Sequence, residues 1–176
     1  EGDDDRRESA CGRRGAQARS TVGFLPESVA FHGAMTGHEL MAFYARLKGA
    51  PLERNAELLE RVGITHAAQR RVSTYSKGMC QRLGIAQALI GEPRLLVFDE
   101  PTSGLDPASR ADVYAMIDTL RAAGATILVS THALDEVEDR IDRAAIMHRG
   151  HLLAAGTLAE LRPASSSRAA TRSRRP

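Results

Sequence analysis

Asp99 and Glu100 stand side by side directly after the apolar run Leu95-Leu96-Val97-Phe98. Two adjacent carboxylates ending a segment that reads as a buried strand are costly unless they meet a cation or water. Phosphoryl transfer asks for that pairing, since it needs both metal positioning and activation of a water. Ser130-Thr131-His132 places an imidazole after another apolar run, Ala125 to Val129. Carboxyl ends of parallel strands open on a ligand crevice, so polar residues there are candidates for chemistry. Upstream, Ser76-Lys77-Gly78-Met79 opens a helical run that continues through Leu83, Ile85, Ala86, Leu89 and Ile90. A hydroxyl and glycine-permitted amides at a helix N-terminus form an anion site, to which Lys77 adds charge. Taken singly, each group has a plainer reading: a carboxylate pair can merely open a turn, and a lone histidine is more often structural. Their positions after buried strands favour chemistry.

The elements that must position these groups are legible in outline. Val22-Gly23-Phe24-Leu25-Pro26 reads as a short buried strand ending at a proline, with Glu27 just beyond. Thr36-Gly37-His38-Glu39 has capping-box form and opens a helix whose Leu40, Phe43, Tyr44 and Leu47 share one face before Gly49. Pro51 stands near the start of a second helix, with Leu52, Ala56, Leu59 and Val62 as its stripe and Gly63 as its stop. Arg94 to Phe98 is expected to be a strand buried on both faces. Asp106 can cap a helix with Pro107 at its first position and Val113, Met116, Ile117 and Leu120 on its apolar face up to Gly124. Ala125 to Val129 then gives another buried strand and Ala133 to Arg140 a helix. Ala144 to Met147 and Leu152 to Ala155 form a hairpin around Arg149-Gly150. Strands alternating with helices predict an α/β fold with a mainly parallel sheet, carrying a small helical subdomain at about 33–92.

A chain of 176 residues and 19.0 kDa is long enough to bury the core of one domain. Its net charge of +2 conceals an acidic start at Asp3 to Asp5 and a basic end at Arg168, Arg172, Arg174 and Arg175. Residues 1–20 read as a disordered or degenerate N-terminal segment and 163–176 as a basic disordered tail, with a nucleic-acid or anionic-lipid contact as the alternative for the latter. Cys11 and Cys80 have no CxxC or Cys/His metal spacing, which argues against a disulfide framework and suits a reducing cytoplasm. No apolar run reaches the roughly 18 to 20 residues of a membrane span. Service to a membrane process is therefore expected through a partner.

Tyr75-Ser76-Lys77-Gly78-Met79, Leu95 to Pro101, Thr102-Ser103-Gly104-Leu105-Asp106 and Ser130-Thr131-His132 occur in the order and at about the spacing of a known set. They resemble the signature, Walker B strand, D-loop and switch histidine of ATP-binding cassette (ABC) ATPases. The resemblance implies a P-loop NTPase-like ABC ATPase core at 21–162, ATP and Mg²⁺ as cofactors, and ATP hydrolysis coupled to transport. It implies Glu100 as general base, His132 at the γ-phosphate and attacking water, and Asp99 holding Mg²⁺ through water. Ser76, Lys77, Gly78 and Met79 would bind nucleotide held by an opposite subunit, and Asp106 would contact nucleotide from the D-loop at the dimer interface. Glu27 takes the place of the Q-loop glutamine, where it keeps an oxygen for nucleotide, metal or water. The implied partners are an integral-membrane permease and a second ATPase subunit, a homodimer in the full-length relative, with no nucleic acid. The implied location is cytoplasmic, peripheral on the inner face of the cell membrane.

Phe24-Leu25-Pro26-Glu27-Ser28, the Met35 to Gly49 segment and Tyr75 to Met79 are most similar to the ATPase subunit of the copper-processing ABC transporter that serves nitrous-oxide reductase maturation. Rival readings are the ATPase of a drug or small-molecule exporter, a soluble ABC protein working on ribosomes or DNA, and a non-catalytic or nucleic-acid-binding module using the basic tail. The P-loop pattern G-x-x-x-x-G-K-[S/T] does not occur in these residues. Lys48 follows Leu47 and Lys77 follows Ser76, and there are no other lysines. The expectation is an incomplete cassette lacking the N-terminal strands and P-loop: a truncated or frame-shifted product or partial sequence, a degenerate subunit that lends only its signature, or a chain with an independent function. Alone, it is expected to bind ATP poorly and hydrolyse little.

Overall fold

The computed structural model describes residues 21–162. The expectations for residues 1–20 and 163–176 lie outside the described residues. The chain divides into two compact units, one ending at His132 and one starting at Ala133.

The first unit is built on three parallel strands, β1 (Val22–Leu25), β2 (Leu95–Asp99) and β3 (Thr126–Ser130), with β2 in the middle. The register sets Leu25 beside Phe98 and Asp99 beside Ser130, so the polar ends of β2 and β3 are level. Between β1 and β2 run helices α1 (Gly37–Lys48), α2 (Asn55–Arg61) and α3 (Lys77–Leu89); α4 (Pro107–Ala122) joins β2 to β3. Helix α3 packs on β1, where Gly23 and Gly84 allow close approach: a Cβ at Gly84 would stand 2.6 Å from Leu25 Cδ1. Leu25, Leu96 and Phe98 turn inward with Leu83, Ile85 and Ala86 to form the core.

The sheet departs from the expected burial on both faces. Phe24 is 51% and Leu128 59% exposed, and β3 has no buried residue. Phe24, Val97 and Leu128 are register partners on the face away from the core. The strands therefore alternate, with only one face covered by helices among the described residues.

Helix α1 begins as its local sequence dictates. The Thr36 hydroxyl accepts from the Glu39 amide at 3.2 Å while the Glu39 carboxylate accepts from the Thr36 amide at 2.8 Å. The bond from the Thr36 amide first, and then a bond from the Thr36 hydroxyl to the same carboxylate at 3.0 Å, hold Glu39 below the ordinary carboxylate range. Gly49 ends the helix at φ 65°, a left-handed value that glycine tolerates. Replacing Thr36 by Ala is expected to cost about 1 kcal/mol, read as a lower denaturant midpoint at unchanged slope.

The buried face of α1 is not the expected one. Gly37, Leu40, Met41 and Ala45 point inward, whereas Phe43 is exposed and Leu47 is 72% exposed. Phe43 and Phe31 instead pack edge-on against Tyr44. The second helix is also shorter than predicted: Leu52–Arg54 is a 3₁₀ turn, and Asn55, Leu58, Leu59 and Val62 are its buried residues. Both corrections have one cause, since an apolar stripe wider than the contact leaves its partner to choose which residues are covered.

The second unit holds the short helix α5 (Leu134–Val137), a 3₁₀ turn, the antiparallel hairpin β4 (Ala144–His148) and β5 (His151–Gly156), and α6 (Leu158–Leu161). The expected helix to Arg140 is thus split at Glu138. Arg149 and Gly150 turn the hairpin at φ 49° and 78°, the two positive angles of a type I′ turn.

Candidate functional site

The carboxyl ends of β2 and β3 bring Asp99, Glu100, Ser130 and His132 together. His132 Nδ1 lies 2.8 Å from Glu100 Oε1, with the imidazole 82% exposed and the carboxylate largely covered. Ser130 Oγ donates to Asp99 Oδ1 and accepts from the Glu100 amide at 3.2 Å, while the Ser130 carbonyl accepts from that amide at 3.1 Å. One serine thus orients both carboxylate residues. Glu100 sits at φ 44°, where a non-glycine residue is strained. The bonds from its amide hold it there, and such strain persists where surrounding structure fixes it, often at functional sites.

Beyond Glu100 the chain turns back through Pro101 to Asp106. The Ser103 amide donates to the Glu100 carbonyl at 3.0 Å, and Ser103 Oγ donates to Glu27 Oε1 at 3.3 Å. Glu27 is thereby tied to the turn that follows the two carboxylates. Asp106 spends both carboxylate oxygens on capping α4: Oδ1 accepts from the Ser109 amide at 3.0 Å and Oδ2 from Ser109 Oγ at 2.6 Å. These bonds, the hydroxyl first, hold Asp106 below the usual carboxylate range.

Ser76 caps α3, its Oγ accepting from the Met79 amide at 3.2 Å. Tyr75 anchors the approach to this helix through a bond from its hydroxyl to the Ala67 carbonyl at 2.7 Å, and burial raises its pKa. Lys77 runs beside Gly104, whose φ of 65° and lack of a Cβ leave room for the ammonium. Ser76, Gly78 and Met79 line a hollow of about 240 Å³ with His66, Arg82 and Ser109. The structure therefore forms two clusters: Asp99, Glu100, His132 and Glu27 at the strand ends, and Ser76 to Met79 at the start of α3.

Ser103 and Ser130 stand inside the D-loop and switch-histidine motifs with no role of their own read from the sequence, and Ser109 and Gln81 lie outside every motif. Gln81 is buried and donates from Nε2 to the Pro101 carbonyl at 2.8 Å. Its signal was a polar residue among buried positions of an apolar helix, which marks a required partner. Ser109 had the standard spacing for a helix cap partner, three residues after Asp106.

The Mg²⁺ that the resemblance implies is tested by the donors present. Asp99 and Glu27 are hard oxygen donors of the kind Mg²⁺ takes in ones or twos alongside phosphate and water. No cluster of three His, Cys, Asp or Glu side chains able to hold a metal occurs among the described residues. The donor set fits an ion shared with a nucleotide rather than a metal cage made by protein alone.

The family model described as ABC transporter matches residues 3–103, beginning inside the segment that lies outside the described residues. The linearmycin resistance ATP-binding protein LnrL of Bacillus subtilis is 36% identical over 154 residues, covering 85% of this chain and 50% of that protein. The bacitracin transport ATP-binding protein BcrA of Enterococcus faecalis is 41% identical over 145 residues, covering 81% and 47%. A solved ATP-binding subunit of an ABC transporter superposes with a TM-score of 0.72 at 30% identity, covering 83% of this chain and 62% of that one. The chain spans about half the length of the curated relatives it matches. Its P-loop NTPase-like sheet with flanking helices, its motif order and these matches together show that the chain belongs to the ABC transporter ATP-binding family.

Proposed function

We infer that this chain acts as part of an ATP-hydrolysing subunit that drives an ABC transporter. The observation that carries the reading is the contact of His132 Nδ1 with Glu100 Oε1 at 2.8 Å, beside an Asp99 already oriented by Ser130. In this assignment Glu100 accepts the proton of the attacking water, and His132 holds the carboxylate in place while presenting its exposed ring to the phosphate. Asp99 and Glu27 would hold Mg²⁺ through oxygen or water, and the ion would neutralise charge on the phosphate oxygens. Ser76, Lys77, Gly78 and Met79 would offer a hydroxyl, amides and a cation to nucleotide held by a second subunit, with Asp106 setting the D-loop at that junction. His132→Ala is expected to lower Mg-ATP turnover of the assembled transporter by about 10²-fold, the lower end for loss of a proton-transfer partner. Unchanged turnover would remove His132 from the site.

The proposed partners are a membrane permease and a second ATPase subunit, with this chain on the cytoplasmic face. No helix among the described residues is long and apolar enough to cross a membrane. The cargo reading that the relatives support is a drug or other small molecule, because LnrL and BcrA are named for linearmycin resistance and bacitracin transport. The copper-processing reading rests on the sequence stretches Phe24 to Ser28, Met35 to Gly49 and Tyr75 to Met79 alone. Disrupting the gene separates the two. Increased sensitivity to linearmycin or bacitracin supports export, whereas loss of nitrous-oxide reduction without that sensitivity supports copper processing.

A further inference from the structure

The amino ends of the strands frame a cavity of about 850 Å³ that none of the roles above uses. Thr21, Arg94 and Thr126 reach it from the sheet, at the opposite end from Asp99 and Ser130. The five residues of β2 separate the two ends by about 16 Å. The cavity is of the size that small-molecule sites have.

Its lining has two characters. Leu58, Leu89, Leu96 and Leu120 are buried and give an apolar floor. Around that floor stand Lys48, Arg54, Arg61 and Arg94, with Glu92 as the one carboxylate in the lining. Arg54 pairs with Glu92, and Lys48 Nζ donates to the Ile90 carbonyl at 3.0 Å. Arg61 and Arg94 are exposed and have no ion pair among the described residues. The local charge is therefore positive and uncompensated. Burial lowers the pKa of Lys48, a shift that a nearby anion opposes.

Asn55 adds the most specific signal. It is only 3% exposed and lines the cavity, and its carboxamide has no hydrogen-bond partner among the described residues. Its polar atoms are also not sealed within protein, so they open on the cavity. Water in the cavity can meet those atoms when no ligand is present, and a ligand group can take its place. The carboxamide can both donate and accept, and a ligand group able to do the same would satisfy it.

We propose that this cavity binds a small anionic amphiphile: a phosphate or carboxylate head between Arg61 and Arg94, a hydrogen-bonding group at Asn55, and an apolar body over Leu58, Leu89 and Leu96. Such a head can belong to a free metabolite or to a lipid in a bilayer, and the experiment separates the two. The ¹⁵N-labelled 176-residue chain is titrated with octyl phosphate, inorganic phosphate and octyl glucoside. In a parallel arm it is mixed with phosphatidylglycerol vesicles. Octyl phosphate is expected to shift amides in Lys48 to Leu58 and Leu89 to Arg94. It is expected to bind at least about tenfold more tightly than either control, since each lacks one of the two recognition elements. The double charge reversal Arg61→Glu with Arg94→Glu, at exposed positions that leave the core intact, is expected to weaken octyl phosphate by a similar factor. Vesicle retention that this variant abolishes identifies a lipid source; binding of octyl phosphate without vesicle retention identifies a free one. Octyl phosphate binding no tighter than inorganic phosphate or octyl glucoside overturns the proposal, as does undiminished binding by the charge-reversed chain.

Discussion

Glu100→Gln is expected to lower Mg-ATP turnover of the transporter containing this chain by about 10²–10⁴-fold while leaving ATP binding in place. The amide has nearly the shape of the carboxylate, and its oxygen can still meet His132 Nδ1 across the 2.8 Å contact. The backbone bonds from the Glu100 amide to Ser130, which fix the strained φ of 44°, are untouched. What the substitution removes is a group able to take a proton from water. Turnover and nucleotide binding are measured on the same preparation. Loss of both together would mean that the turn had collapsed, and full turnover in the variant would exclude Glu100 as the base.

Phe98→Ala is expected to have the largest effect on stability, about 3–5 kcal/mol. Phe98 is fully buried in the middle strand, between Leu25 of β1 and Val129 of β3 in the register. Truncation leaves a cavity bounded by strands on both sides, which can close only by moving the sheet. A loss of that size is a large part of the roughly 5–15 kcal/mol that holds a domain folded. Leu128→Ala is the matched comparison. It lies on the open face of β3, and its removal is expected to cost under about 0.5 kcal/mol. Urea denaturation of both variants provides the test, and equal midpoints would contradict the one-sided core.

Local rules made much of this molecule legible before its structure. Thr36 with Glu39, Asp106 with Pro107, and Arg149-Gly150 each mark an end or a turn through bonds within a few residues, and the structure contains each. The carboxylate pair and His132 were readable because strand ends align polar residues once the strands are parallel. Choices made by distant partners were not legible. Phe43 and Leu47 belong to an apolar stripe as fully as Leu40, yet the elements packed against α1 cover Leu40, Met41 and Ala45. Likewise β3 has the composition of a doubly covered strand, and its exposed Leu128 depends on what lies over that face rather than on the strand. Ser130 escaped notice as an organiser because its two roles, toward Asp99 and toward the Glu100 amide, exist only after β2 and β3 pair.

Gln81 has a mechanical consequence. Its bond to the Pro101 carbonyl is buried and reaches across twenty residues of sequence. Water cannot readily replace the carboxamide at that carbonyl, so the start of α3 and the bend after Glu100 are pinned to one another. A pinned joint removes slack. Movement delivered to the first turns of α3 reaches the bend that carries Glu100, and movement of the bend shifts the hydroxyl and amides at Ser76 to Met79.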